Sequence, residues 1–262
     1  MQKRRLIPKL QMMMGSFGKT PKMVLVTTIN FDRIIEIGDP VSQAKIYEAQ
    51  AADELIFVDI RASSESRNTT IDVVRRAAEQ IFMPFTVGGG VKSLEDFRIL
   101  LASGADKVSI NTSAVENPDL INSASKVFGA QCVVLSIDYR RGKDGMNKVF
   151  IRGGKEETAL DPVEWAVEGE RRGAGEILLT SIDNDGTRKG LDNEISSKIS
   201  GILSIPVINS GGCGLASHFV DGFINGGASA VSAGTYFCFK DENPMQTRAQ
   251  IKNAGIPIRV HT

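Results

Sequence analysis

Cysteine, histidine and an excess of charge of either sign are all scarce in this chain, and each scarcity removes a class of protein. The three cysteines, Cys132, Cys213 and Cys238, are isolated, odd in number and without metal-ligand spacing, so neither a disulfide framework nor a zinc site is expected. No cofactor is implied, and the pattern suits a reduced, cytoplasmic protein. Only two histidines occur, His218 in a segment of helical spacing and His261 near the end of the chain, which leaves little imidazole for proton transfer. Lys and Arg number 31, as do Asp and Glu, and a formal charge of zero gives no reason to expect nucleic acid or an anionic membrane as partner. No apolar run approaches the ~18 residues of a membrane span. The basic Met1-Gln2-Lys3-Arg4-Arg5 is not followed by an apolar stretch of signal-peptide length. Linkers rich in Pro, Gly or Ser and low-complexity tracts are also missing, so the 262 residues read as a single domain.

What the chain does contain is a copy of itself. Aligning Asp39-Pro40-Val41 with Asp161-Pro162-Val163, an offset of 122 residues (from 39 to 161), also superposes Ala44 on Ala166, Ala52 on Ala174, Glu54 on Glu176, Ile60 on Ile182, Pro84 on Pro206 and Gly89-Gly90 on Gly211-Gly212. A unit this long and present twice is not a solenoid repeat. It reads as a duplicated half-domain, with halves at about 1–125 and 126–262. Short β-rich runs at Leu6–Leu10, Leu55–Ile60, Phe85–Val87, Lys107–Ile110, Val133–Asp138, Ile177–Ile182, Val207–Asn209 and Ala230–Ala233 alternate with segments of helical spacing. Asp39-Pro40 and Asp161-Pro162 place a cap before a first-turn proline, and Ser93 precedes Glu95-Asp96. Near-continuous apolar strands imply a parallel, fully covered sheet. A doubled four-unit half closes as an α/β (β/α)8 barrel, which leaves no sheet edge, with an open doubly wound sheet as the alternative.

In such a barrel the chemistry sits on loops at the carboxyl ends of the strands. Strand three is followed by Gly88-Gly89-Gly90 and its repeat, strand seven, by Ser210-Gly211-Gly212-Cys213-Gly214; strand four by Asn111-Thr112-Ser113 and strand eight by Gly234-Thr235. Glycine lets backbone N–H groups approach an anion, and a helix N-terminus adds favourable potential. Two such pairs across one barrel mouth point to a substrate with a phosphate at each end, although any single cluster is also explained by a tight βα turn.

The segment Pro84-Phe-Thr-Val-Gly-Gly-Gly-Val91, continued by Gly104-Ala-Asp-Lys-Val-Ser-Ile-Asn-Thr-Ser-Ala-Val-Glu-Asn-Pro118, resembles the cyclase subunit of imidazole glycerol phosphate synthase. So does Arg172-Gly-Ala-Gly-Glu-Ile-Leu-Leu-Thr-Ser-Ile-Asp-Asn-Asp-Gly-Thr187. The resemblance covers nearly the whole chain and is weakest from Lys9 to Thr28 and toward the C-terminal end. It implies a half-barrel duplication with two phosphate sites and a heterodimer with a separate glutaminase subunit. Ammonia from that subunit would be added to a bisphosphate-ended ribonucleotide, releasing imidazole glycerol phosphate and an aminoimidazole carboxamide ribotide. Carried over residue by residue, substrate and phosphate contacts fall on Gly90, Asn111, Thr112, Thr180, Asp185, Gly186, Ser210, Gly212, Gly234 and Thr235, the last two where the family commonly has alanine and serine. A ring of charged residues at the opposite barrel face, where ammonia enters, matches Arg5, Glu54, Lys107 and Glu176. Four alternating buried charges need one another as partners, and a plain salt-bridge plug would look the same.

The family works with two aspartates, at the ends of strands one and five, as general acid and base. Strand five keeps its residue as Asp138. Strand one reads Ile7-Pro8-Lys9-Leu10-Gln11 where the family pattern is Ile-Pro-Cys-Leu-Asp. A glutamine amide gives and accepts hydrogen bonds but exchanges no proton near neutral pH. The segment from Met12 to Thr28 departs too, reading as an altered loop in which Thr27 aligns with a basic residue that normally closes over substrate. Lys19 and Lys22 are the candidate replacements. Loss of one proton-transfer group slows such a step by roughly 10²–10⁴-fold. Asp183 and Asp185 lie at the mouth, where they would have to reach across it, and serve equally well to orient substrate or cap their loop.

Three readings follow. In the first, the ammonia route and phosphate cradles are kept and the acceptor has changed, as in divergent relatives thought to convert a nucleotide-linked sugar to an amidine in surface-glycan pathways. In the second, the chain is a histidine-pathway cyclase with an unusual strand-one residue. In the third, it docks and activates a glutaminase without catalysis of its own. The sister isomerase of the histidine pathway has no need of the charged ring.

Overall fold

A computed structural model of the chain describes residues 3–15, 22–62, 65, 71–239 and 242–259. Lys19 and His261 lie outside them. Eight parallel strands form the barrel: β1 (Arg5–Gly15), β2 (Leu55–Asp59), β3 (Phe85–Gly88), β4 (Lys107–Ile110), β5 (Val133–Arg141), β6 (Glu176–Ser181), β7 (Val207–Ser210) and β8 (Ala230–Ala233). Each pairs with its sequence neighbours, and β8 returns to β1 through Arg5↔Ala230 to Pro8↔Ala233, which closes the sheet. Among the described residues no helix is long and apolar enough to cross a membrane.

Alternation along the strands divides the core in two. Ile7, Ile56, Val134, Leu178, Ile208 and Ala230 face inward as an apolar layer inside the barrel. Their neighbours Leu6, Phe57, Leu135, Ile177, Val207 and Val231 face outward into the larger core beneath the helices. The helices begin where the side chains provide caps. Asp39 accepts from Ser42 N at 2.8 Å before helix Pro40–Ala49, and Asp161 accepts from Val163 N at 2.8 Å before helix Pro162–Arg171. Ser93 and Asp96 form a reciprocal capping box at helix Leu94–Ala102.

Positions related by the 122-residue offset adopt matching geometry. Leu55 N donates to Pro84 O as Ile177 N does to Pro206 O, both at 3.0 Å. Gly89 and Gly211 sit at φ +99° and +92°, where a Cβ would lie 2.2 Å from Asp59 O and 2.5 Å from Ser181 O respectively. Both positions therefore require glycine.

Two strands overrun the barrel rim, which the alternation of apolar runs did not suggest. The segment Met12 to Thr28, expected to be an altered loop, is strand where it is described, in the overrun of β1 to Gly15 and again from Lys22; residues 16–21 lie outside the described residues. Gln11–Gly15 pairs antiparallel with strand Lys22–Ile29, which pairs in turn with Arg33–Gly38. Met23-Val-Leu-Val-Thr-Thr-Ile29 is rich in β-branched and large apolar residues, and the buried face of this hairpin overrides loop expectation. β5 is extended likewise, Asp138–Arg141 pairing with strand Asn147–Ile151. The two hairpins stand on opposite halves of the mouth.

Candidate active site

At the amino-terminal face the four ring residues meet. Arg5 Nη1 binds Glu54 Oε1 at 2.8 Å and its Nη2 binds Glu176; Lys107 Nζ binds Glu54 Oε2 at 3.0 Å and Glu176 Oε2 at 2.8 Å. Each cation thus touches both anions. Burial alone would push the Glu54 carboxyl up, but Arg5 and Lys107 outweigh it and hold that carboxyl below its ordinary range. Burial likewise opposes charge on Arg5, and Glu176 and Glu54 reverse it. The apolar layer of Ile7 and Leu178 lies directly above the ring.

Above that layer the interior becomes polar and opens into a cavity of about 240 Å³. Lys9, Gln11, Thr28, Asn111, Asp138 and Thr180 are among its lining residues, and the loops contribute Gly88–Gly90 and Thr112. Asp138 Oδ2 accepts from Asn111 Nδ2 at 2.8 Å. Burial pushes the Asp138 carboxyl up to about 6, with Asp185 adding to the rise and Lys9, Asn111 and Thr180 opposing it. A carboxyl titrating there is ionised at neutral pH yet able to hold a proton, the property a general base needs.

Gln11 does not stand free. Its Nε2 donates to Thr28 Oγ1 at 3.1 Å, and Thr28 Oγ1 donates to Asp185 Oδ2 at 2.7 Å. Asp185 therefore does not have to reach across the mouth, because the hairpin brings Thr28 to it. Burial raises the Asp185 carboxyl against the pull of Lys9 and Thr28. Lys9 Nζ lies 3.9 Å from Asp185 Oδ1. Thr27, on the other face of the same strand, has its Oγ1 2.6 Å from Thr235 Oγ1. Lys22 is exposed and paired with Gly15, four residues along the hairpin from Gln11, about 13 Å at the rise of an extended strand. Asp183 caps the neighbouring β5 extension, its Oδ2 accepting from Arg141 N at 3.1 Å. His218 accepts from Gly214 N on helix Ala216–Ile224, away from the cavity lining.

The two expected phosphate cradles differ. Gly90, Asn111 and Thr112 line the cavity, whereas Ser210, Gly212, Gly234, Thr235, Asp185 and Gly186 do not. On that second side the protein packs on itself. Thr27 holds Thr235, Gly190 N donates to Gly212 O at 2.9 Å, and Thr28 O would lie 2.1 Å from a Cβ at Gly186. Among the described residues, the buried Ser210 Oγ and Asn111 Oδ1 have no hydrogen-bond partner.

A chain with this doubled barrel, retained Asp138 and closed charge ring has relatives that can be named. The histidine biosynthesis protein family matches residues 6–243. The chain is 50% identical over 260 residues to the "Putative imidazole glycerol phosphate synthase subunit hisF2" of Prochlorococcus marinus (strain MIT 9313), covering 99% of each. It is 46% identical over 259 residues to the imidazole glycerol phosphate synthase subunit HisF of Clostridium botulinum, in both strain Okra / Type B1 and strain Kyoto / Type A2, covering 98% of this chain and 99% of theirs. The chain belongs to the HisF family. Lys9 and Thr28 are among the cavity residues that reading the sequence passed over. Lys9 was discoverable, since it lies two residues before Gln11 and period-2 alternation puts both on the inner face. Thr28 was not, because its place depends on a hairpin register that no local pattern announces.

Proposed function

We propose that this HisF-family chain is the ammonia-using synthase subunit of a glutamine amidotransferase pair, with an acceptor other than the histidine-pathway ribonucleotide. The observation that carries the reading is Gln11. Its amide occupies the strand-one acid position and is tied to Thr28 rather than open to a proton. Asp138, the charged ring and the cavity-side cradle of Gly90, Asn111 and Thr112 all remain. Ammonia would enter between Arg5, Glu54, Lys107 and Glu176, cross the apolar layer, and reach the acceptor beside Asp138; as nitrogen adds to a carbonyl carbon of the acceptor the C=O π pair moves onto oxygen, and Asp138 takes a proton from nitrogen. A neutral apolar layer above charged groups favours passage of ammonia over ammonium. The glutaminase would dock at the amino-terminal face. Exposed Phe82, Ile202 and Ile224 there, at and just beyond helix C-termini, support a protein partner. A nucleotide-linked sugar undergoing amidination fits a phosphate-bearing acceptor. The offset-122 contacts support half-barrels of about 1–125 and 126–262.

The second reading, a working cyclase of the histidine pathway, is favoured by one observation: Asp185 is a second buried carboxyl, and its charge adds to the rise at Asp138. Purified chain, ammonium salt and the histidine-pathway ribonucleotide separate the two. The first reading expects turnover at least about 10²-fold below that of a two-aspartate relative. Comparable turnover overturns the change of acceptor and leaves Asp185 as the second proton-transfer group.

A further inference from the structure

Lys9 has no counterpart in a two-aspartate scheme. It sits on the inner face of β1 between Ile7 and Gln11, is 7% exposed, and lines the cavity together with Asp138. The other cations of the lining, Arg61 and Lys155, stand on loops beyond the strand ends. Three charged side chains are therefore buried in this part of the barrel: Lys9 from β1, which shares the cavity wall with Asp138 from β5 and lies 3.9 Å from Asp185 of the loop after β6. Asp59, at the end of β2, lines the same cavity, and the Cys213 thiol after β7 lies within reach of the Lys9 charge. Two carboxylates sharing an enclosed space relieve their repulsion by one of them keeping a proton. A base that keeps its proton is no base.

We propose that Lys9 is a positioning residue for Asp138: its enclosed ammonium, held against Asp185, keeps Asp138 ionised and ready to take a proton in a site where position 11 is an amide. The proposal rests on the reading of Asp138 as the base. Lys9 lowers the proton affinity of both Asp138 and Asp185 against the burial that raises them. Its fixed charge also leaves the cavity floor less negative than a Cys and Asp at positions 9 and 11 would.

The test titrates full-length protein carrying ¹³C-carboxyl aspartate, with the Asp138 resonance assigned by its loss in Asp138→Asn. The titration midpoint is expected to rise by about one pH unit or more in Lys9→Met, as for removal of an adjacent opposite charge, and to return in Lys9→Arg, which keeps the charge. The acid limb of ammonia-dependent turnover should move with it while KM for the acceptor changes less than kcat. A midpoint unmoved in Lys9→Met that retains native circular dichroism overturns the proposal, as does failure of Lys9→Arg to restore it. If Lys9→Met does not fold, Lys9→Gln serves the same measurement. Absence of turnover with every acceptor would count against the proposed function alone, since the carboxyl titration decides the role of Lys9 without it.

Discussion

Replacing Asp138 with asparagine should abolish proton transfer and yet make the protein more stable at neutral pH. The carboxyl titrates at about 6 in the fold against an ordinary value of 3.8, so the folded state prefers it protonated. Stability from that preference is complete below the unfolded value and is lost as pH rises through the folded one. A displacement of about two units at about 1.4 kcal/mol each corresponds to about 3 kcal/mol lost at pH 7.5. Because the side chain opens onto the cavity, about 1–3 kcal/mol is the expected gain when asparagine removes the charge. The new amide oxygen can still accept from Asn111 Nδ2, the bond now made at 2.8 Å, and its NH2 can donate to the Thr180 hydroxyl that now bonds the carboxylate, so no partner is stranded. At about 2–4 °C per kcal/mol for a chain of this size, Tm should rise by about 2–12 °C. Thermal unfolding followed by circular dichroism at pH 7.5 and pH 5 tests this, and the advantage should fall to about half at the lower pH. An asparagine variant less stable than the parent at pH 7.5, or a gain that ignores pH, would refute the argument that burial dominates at Asp138.

Glu54→Gln should have the opposite sign. It leaves Arg5 and Lys107 sharing Glu176 alone, and an uncompensated buried charge costs about 3–5 kcal/mol, so Tm should drop by roughly 10 °C; a loss below about 2 °C would mean the ring is not closed in solution. Thr28→Val keeps the shape of the side chain and removes the hydroxyl between Gln11 and Asp185. Denaturant unfolding should report a loss of about 1–3 kcal/mol for the stranded partners, and an unchanged midpoint would argue against the hydrogen bonds seen there.

The barrel was legible because its causes are local. Short, near-continuous apolar runs mark β1 to β8, and Asp39, Ser93 and Asp161 announce helices through their own side chains. The ring was legible through the family resemblance, which placed four charges at strand starts where each needs another as partner. The hairpins were not, because Lys22–Ile29 has strand-like composition but owes its role to pairing with the overrun of β1, a contact between segments. The asymmetry of the mouth was equally hidden. Glycines at 212 and 234 read like those at 89 and 90, but only the packed structure has Thr27 against Thr235 and the hairpin backbone over Gly186.

The bonds from Gln11 through Thr28 to Asp185 have a direction, because a hydroxyl has one proton to give. Asp185 takes it, so Thr28 needs a neighbour that offers a proton rather than seeks one, and an amide does so where a carboxylate does not. Gln11 and the hairpin strand bearing Thr28 are thus a matched set. Moving Thr28 without Gln11 into a two-aspartate barrel would set two acceptors against a single hydroxyl, and a chimera that takes the hairpin should carry residues 11 and 28 together.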